Sequence, residues 1–201
     1  MVKMSRVSEL LASVPYAQGE AVEFYDDCVV FNSKQLKYKD ITGYGYLLLN
    51  RSTSVLYIPI FNNRSRALSF SMGDDSKPTI FRREITNFLL MHSERQNELN
   101  LIFSELVKLT EAIIAPLVYK SLMRAIKTGE TVNLAGLRIG KDSVSRSGLF
   151  RSKEMDQYGY TSIGYGQVVV KDGAGNVFFS ASLATINAPL VKPILDSLFG
   201  G

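Results

Sequence analysis

Apolar and polar positions along the chain change period several times, and the changes divide it into elements. Val7, Leu10, Leu11 and Val14 recur at helical spacing, which predicts a short helix over Ser5–Val14 ended by Pro15. From Ala21 the pattern becomes strand-like. Val22 and Phe24, then Val29, Val30 and Phe31, flank Tyr25-Asp26-Asp27 as two short strands joined at an acidic turn. A third strand runs into a fourth over Leu36–Leu49. Val55–Phe61 and Arg66–Met72 then read as a hairpin about Asn62–Ser65, with Pro59 at an edge or a bulge because it has no amide hydrogen to donate. Ile80, Phe81, Ile85, Phe88 and Leu89 return to helical spacing and predict a helix. A second helix starts at Ser93, with Gln96 as its capping-box partner, and carries a stripe from Leu99 to Ile114. Pro116 kinks that helix or opens another, which runs from Leu117 to Lys127 and stops at Gly129. Strand patterns resume at Val132–Leu134, Leu137–Ile139 and Val144. Lys171–Asn176 is a hairpin turn between Val168–Val170 and Val177–Phe179, and Asn187–Phe199 reads as a final helix.

Within this pattern one stretch recurs. Tyr38-Lys39-Asp40-Ile41-Thr42-Gly43-Tyr44-Gly45 returns as Tyr160-Thr161-Ser162-Ile163-Gly164-Tyr165-Gly166, and each copy leads into an apolar segment. Thr79-Ile80 likewise resembles Thr185-Ile186, and Ile85, Phe88 and Leu89 have the spacing of Val191, Ile194 and Leu195. The expectation is an α+β chain of two antiparallel β-units, each closed by a C-terminal helix. Residues 1–19 form an N-terminal helix and linker, 20–92 the first unit, 93–129 a helical connector and 130–201 the second unit.

Composition narrows the chemistry. The 201 residues are 46% hydrophobic and 21% charged, which is ordinary for a globular protein, and the net charge of +4 is too small to imply nucleic-acid binding unless it is concentrated. A single cysteine, Cys28, cannot form an internal disulfide, and with one histidine, His92, little remains for a metal site. No signal peptide is legible at the N-terminus, and Glu105, Lys108, Glu111 and Lys120 interrupt the apolar region 99–125. The expected location is the cytoplasm. Cys28 reads as a buried thiol, Asp26-Asp27 and Asp74-Asp75 as turn residues, and His92 with Glu94 as a helix-junction pair without a nucleophile. The glycines of Gly-Tyr-Gly precede strands and not helices, so they read as bulges or close backbone approaches instead of a phosphate cradle.

A strand-rich unit closed by a helix, with an aromatic three residues before an Ile at the head of a central strand, resembles the bacterial tandem pleckstrin-homology-like (PH/GRAM-type) domain proteins. The slot that is often Trp-x-x-Ile in those families is Tyr38-x-x-Ile41 and Tyr160-x-x-Ile163 here, and the chain has no Trp. Thr128–Val132 matches the opening of a second unit, and Asn187 the residue before a last helix. The resemblance implies a non-enzymatic adaptor without a cofactor, binding a protein partner, a peptide or a lipid headgroup.

The second copy is preceded by a longer, charged connection. Lys141, Arg146, Arg151 and Lys153 alternate with Ser143, Ser145, Ser147 and Ser152, in the region where pleckstrin-homology domains commonly bind anionic headgroups. Leu149 and Phe150 in the same loop suit insertion into a membrane interface or docking on a partner. The competing reading is a solvated loop balanced by Glu154 and Asp156. A protein-binding scaffold is therefore the leading expectation. A peripheral protein on an anionic membrane surface is the alternative, nucleic acid is disfavoured, and the helices between the units offer a homo-oligomer interface.

Overall fold

The computed structural model describes residues 8–17, 19–55, 58–74, 76–88, 94–146 and 153–200, with backbone only over 50–63, 84–88 and 94–96. Four strands, β1 (Leu10–Ala17), β2 (Glu20–Tyr25), β3 (Cys28–Phe31) and β4 (Lys34–Lys37), pair in sequence order as an antiparallel meander. A 3₁₀ turn at Tyr38–Asp40 leads into a three-stranded antiparallel sheet of β5 (Ile41–Val55), β6 (Ile58–Met72) and β7 (Thr79–Phe88). The helices α1 (Glu94–Leu109) and α2 (Ala115–Lys127) follow, joined by a π-helical turn at Thr110–Ile114. The order then repeats. The strands β8 (Val132–Leu134), β9 (Leu137–Ile139), β10 (Val144–Arg146) and β11 (Lys153–Glu154) form a second four-stranded sheet. The strands β12 (Tyr158–Gly164), β13 (Gln167–Asp172) and β14 (Val177–Ser182) form a second three-stranded one, and α3 (Ala188–Phe199) ends the chain. The fold is mixed α+β, built from antiparallel sheets and few helices.

Two expected helices are strands. Leu10–Val14 lies in β1, where Val14 pairs with Val22 and is buried while Leu10 and Leu11 are exposed; residues 5–7 lie outside the described residues. Pro15 is tolerated because β1 is an edge strand and its register shifts just after Pro15. The second case is Ile80–Phe88, which is β7. Ser69 pairs with Thr79 and Leu68 with Phe81, so Ile80 is the extra residue of a bulge, and Ile80 and Phe81 are both buried. A bulge breaks the two-residue alternation and imitates a helical doublet. Leu89 and His92 lie outside the described residues. The expected turn at Asn62–Ser65 is also strand, as is Asn50–Thr53 opposite it, because the β5–β6 ladder continues to Val55 and Ile58. Pro59 sits opposite Ser54 at a register shift, as its missing amide requires.

The two copies of the Tyr…Gly-Tyr-Gly stretch are not structurally equivalent. The Tyr38 amide donates to the Asp27 carbonyl (2.9 Å), and its counterpart is the Met155 amide on Val144 (2.8 Å). Two residues on, the Asp40 carbonyl accepts from Gly73 and the Gln157 carbonyl from Gly173, both at 2.9 Å. Tyr38-x-x-Ile41 therefore corresponds to Met155-x-x-Tyr158, and not to Tyr160-x-x-Ile163 as the sequence suggests. Burial follows the same correspondence, since Tyr38 and Ile41 are buried whereas Tyr160 and Ile163 are 50% and 44% exposed. By the same logic β7 matches β14, so Thr79-Ile80 does not correspond to Thr185-Ile186.

One continuous apolar core runs through the molecule. In the first half, Tyr16 of β1 meets Phe81 of β7 edge to face at 5.8 Å, and Phe81 lies 6.2 Å from Phe103 of α1, so three layers close on these rings. In the second half, Ile194 and Leu195 of α3 bury fully with Val168 and Val170 of β13 and with Leu134, Leu137 and Ile139 of β8 and β9.

Candidate functional site

The residues from the basic connection divide. Lys141 is exposed at the β9–β10 turn. Arg146 and Lys153 face each other as cross-strand partners at the other end of β10. The Arg146 guanidinium lies 5.4 Å from the centre of the Phe178 ring, a cation–π contact that gives it a packing role. Leu149, Phe150 and Arg151 lie outside the described residues. A cleft of about 210 Å³ opens beside Lys153, and Glu154, Asp156 and Asp172 also line it. The structure thus brings Arg146 and Lys153 together, separates Lys141 from them, and sets three carboxylates around the neighbouring cleft.

Gly43-Tyr44-Gly45 lies at the seam between the halves. The segment between β14 and α3 runs along the outer edge of β5. The Tyr46 amide donates to the Leu183 carbonyl (2.8 Å) and the Asn187 amide to the Tyr44 carbonyl (2.7 Å). The Asn187 side chain completes the contact, with Oδ1 accepting from the Tyr44 amide and Nδ2 donating to the Thr42 carbonyl, both at 3.3 Å. A Cβ on Gly45 would lie 2.9 Å from the Ala184 carbonyl oxygen, so the motif's glycines admit this segment. An edge strand left open is a template for unwanted pairing, and here residues 183–187 cover the β5 edge over Thr42–Tyr46.

Gly164-Tyr165-Gly166 does something else. Gly164 pairs with Gln167, and Tyr165 (φ 51°) and Gly166 (φ 75°) are the two central residues of a tight β12–β13 turn. The Gly166 carbonyl accepts from the Leu183 amide (2.9 Å), so this turn buttresses the segment that the first copy receives.

Several ionisable groups are held by their surroundings. Burial, then the nearby Glu111 charge, pushes the Tyr46 hydroxyl up to about 12; that hydroxyl donates to Glu111 Oε1 (3.4 Å). Burial also pushes Tyr158 up to about 12, helped by the hydrogen bond it donates to Asp196. Burial opposes the Asp196 charge, yet hydrogen bonds from Lys192 and Tyr158 together hold this carboxyl below its ordinary range. Cys28 is buried, as expected, with its thiol pushed up by burial, and Gln35 Nε2 lies 3.0 Å from Sγ. The buried Arg66 donates to the carbonyls of Leu49 and Ser65 and to Asn100 Oδ1 (3.1 Å), tying β6 to α1. Among the described residues no group of three His, Cys, Asp or Glu side chains is placed to hold a metal ion.

One further surface was not singled out from sequence. Lys120, Arg124 and Lys127 lie at i, i+4 and i+7 on the exposed side of α2 and line a cleft of about 400 Å³ together with Tyr119, Met123 and Ser197. On the other flank of α2, Tyr38, Ile41, Leu117 and Leu122 contribute to a groove of about 530 Å³. The two basic residues Arg124 and Lys127 read naturally as a helix stop signal, which hides the row that Lys120 completes; the i, i+4, i+7 spacing was the available clue. No protein-family model matches the chain, and neither a curated protein nor a solved structure matches it.

Proposed function

We propose that the chain is a non-enzymatic, protein-binding scaffold made of two pleckstrin-homology-like units acting in the cytoplasm. The observation that carries this reading is the repeated order of four antiparallel strands, three antiparallel strands and a helix, in register at equivalent hydrogen bonds. On this reading the first unit is closed by α1, and α2 continues α1 toward the second unit. The covered β5 edge supports a scaffold whose two units move as one body. Among the described residues no helix is long and apolar enough to cross a membrane.

The test is capture by tagged protein followed by quantitative mass spectrometry, with untagged protein as competitor. A partner that the competitor displaces is the expected result, and capture of nothing specific overturns the reading. The pairing of Arg146 with Lys153 supports a second reading, an anionic-membrane surface that also uses Lys141, Arg151, Leu149 and Phe150. Glu154, Asp156 and Asp172 around the adjacent cleft weigh against it. Co-sedimentation with phosphatidylserine vesicles over a range of salt decides, because binding driven by this loop must weaken as salt screens it.

A further inference from the structure

The outward face of α2 combines three features. First, it is charged with one sign: Lys120, Arg124 and Lys127 stand along about 10 Å of helix, none is in an ion pair among the described residues, and no acidic side chain lines either flanking groove. Second, it has apolar footing on both sides, with Met123 buried at the base of one cleft and Leu117 48% exposed at the other. Third, it is concave, since each groove has a volume within the range of roughly 300–1,000 Å³ typical of binding clefts.

We propose that α2 is the docking site for an acidic segment of a partner protein, whose carboxylates meet Lys120, Arg124 and Lys127 while a flanking apolar side chain fills the groove beside Leu117. This rests on the protein-binding reading above and names the chemistry of the partner. Charge complementarity selects the occupant. A second copy carries the same net charge of +4 and would set cations against cations in a two-fold contact. A bilayer is flat, whereas these cations form a single row with a hollow on each side. A polypeptide segment is narrow enough to follow the row and irregular enough to fill the hollows.

The probe is a fluorescent synthetic peptide of alternating Glu and Leu blocks, measured by anisotropy against the full chain. Its comparators are a Lys–Leu peptide, a Glu peptide without Leu, a single-stranded oligonucleotide and phosphatidylserine–phosphatidylcholine vesicles. The Glu–Leu peptide binds and the Lys–Leu peptide does not. The combined Lys120→Glu, Arg124→Glu and Lys127→Glu substitutions weaken binding at least about tenfold, the equivalent of about 1.4 kcal/mol. Leu117→Ser weakens the Glu–Leu peptide but not the peptide without Leu. All four positions are exposed, so the variants keep the wild-type circular dichroism, with only a small fall in melting temperature from acidic side chains in the last turn of α2. Unchanged affinity after charge reversal overturns the site, as does tighter binding of the oligonucleotide or the vesicles through the same residues. A partner captured equally by the wild-type and charge-reversed chains overturns the α2 site and leaves the scaffold reading intact. Peptide binding that depends on α2, with no partner that can be captured, does the reverse.

Discussion

The Asn187 carboxamide fills the space that a side chain on Gly43 would need, since a Cβ on Gly43 would sit 2.4 Å from Asn187 Oδ1. Asn187 is buried and bonded to the backbone of Tyr44 and Thr42, so it has nowhere cheap to go. Gly43→Ala should therefore lower unfolding stability by about 1–3 kcal/mol, as overpacking does. Urea unfolding measures this, and a shifted midpoint with an unchanged slope is the expected form.

Asn187 has a second constraint, because its backbone is left-handed at φ 65°. The two can be separated. Asn187→Gly removes the hydrogen bonds but accepts the conformation, whereas Asn187→Ala removes the bonds and adds the left-handed penalty of roughly 1–2 kcal/mol. Each should destabilise, with alanine the worse of the two by about that difference, read from paired denaturation curves.

The second Gly-Tyr-Gly copy predicts unequal glycines. Gly166 combines φ 75° with a Leu48 carbonyl oxygen 3.2 Å from any added Cβ, while Gly164 has open space around it. Gly166→Ala should cost about 1 kcal/mol or more, and Gly164→Ala should stay within about 0.5 kcal/mol of wild type. Tyr165 is fully exposed at φ 51°, so Tyr165→Asn should raise the melting temperature by relieving the turn. A fall in melting temperature would contradict this account of the turn.

These glycines also show what the sequence conceals. The two copies look alike because short strings of Gly and Tyr satisfy several backbone demands. One copy needs room for a docking segment and the other needs positive φ, and local sequence does not separate those causes. Elements ruled by local alternation were legible: β2, β3, β8, β9 and the β13–β14 hairpin all fall where Val, Ile and Phe alternate or cluster between turn residues. So did α2 and α3, with Pro189 in the first turn of α3. The expectation failed at β1 and β7, where Pro15 and the bulge at Ile80 disturb the two-residue period. The basic connection drew attention by composition, yet among its described cations only Arg146 and Lys153 meet in space, with Lys141 at the other end of β10. The α2 row hid because its last members double as a helix stop signal.

Alkaline stability follows from the buried Tyr46 and the half-buried Tyr158. Tyr46 and Tyr158 titrate at about 12 in the fold, against about 10 in an unfolded chain. A folded value raised above the unfolded one means that their contribution is whole below about pH 10 and is lost as pH climbs toward about 12. Melting temperature should fall across that window, and Tyr46→Phe and Tyr158→Phe should each flatten the fall. Titration of tyrosinate absorbance should show these hydroxyls ionising together with unfolding.

At the acid end Asp196 is one of the carboxyls concerned: burial opposes its charge, yet Lys192 and Tyr158 hold it below its ordinary range. A depressed folded value contributes stability above the unfolded range, and that contribution disappears as pH drops through it. Asp196→Asn should therefore destabilise at neutral pH and converge on wild type in acid. The pair is 42% and 41% exposed, so solvent keeps the neutral-pH effect below about 1 kcal/mol. Thermal melts across the acid range check the convergence.

The seam has a temporal side. The hydrogen bonds that close this part of the β5 edge join residues 143 and 145 positions apart, so the segment that makes them is synthesised long after β5 itself. Throughout synthesis of the intervening helices and sheets, the long β5–β6 hairpin waits with one strand edge unsatisfied. Contacts of such separation form slowly and leave strand edges open to foreign chains in the interval. A chain truncated ahead of Leu183 should lose its protection against aggregation before it loses its first sheet.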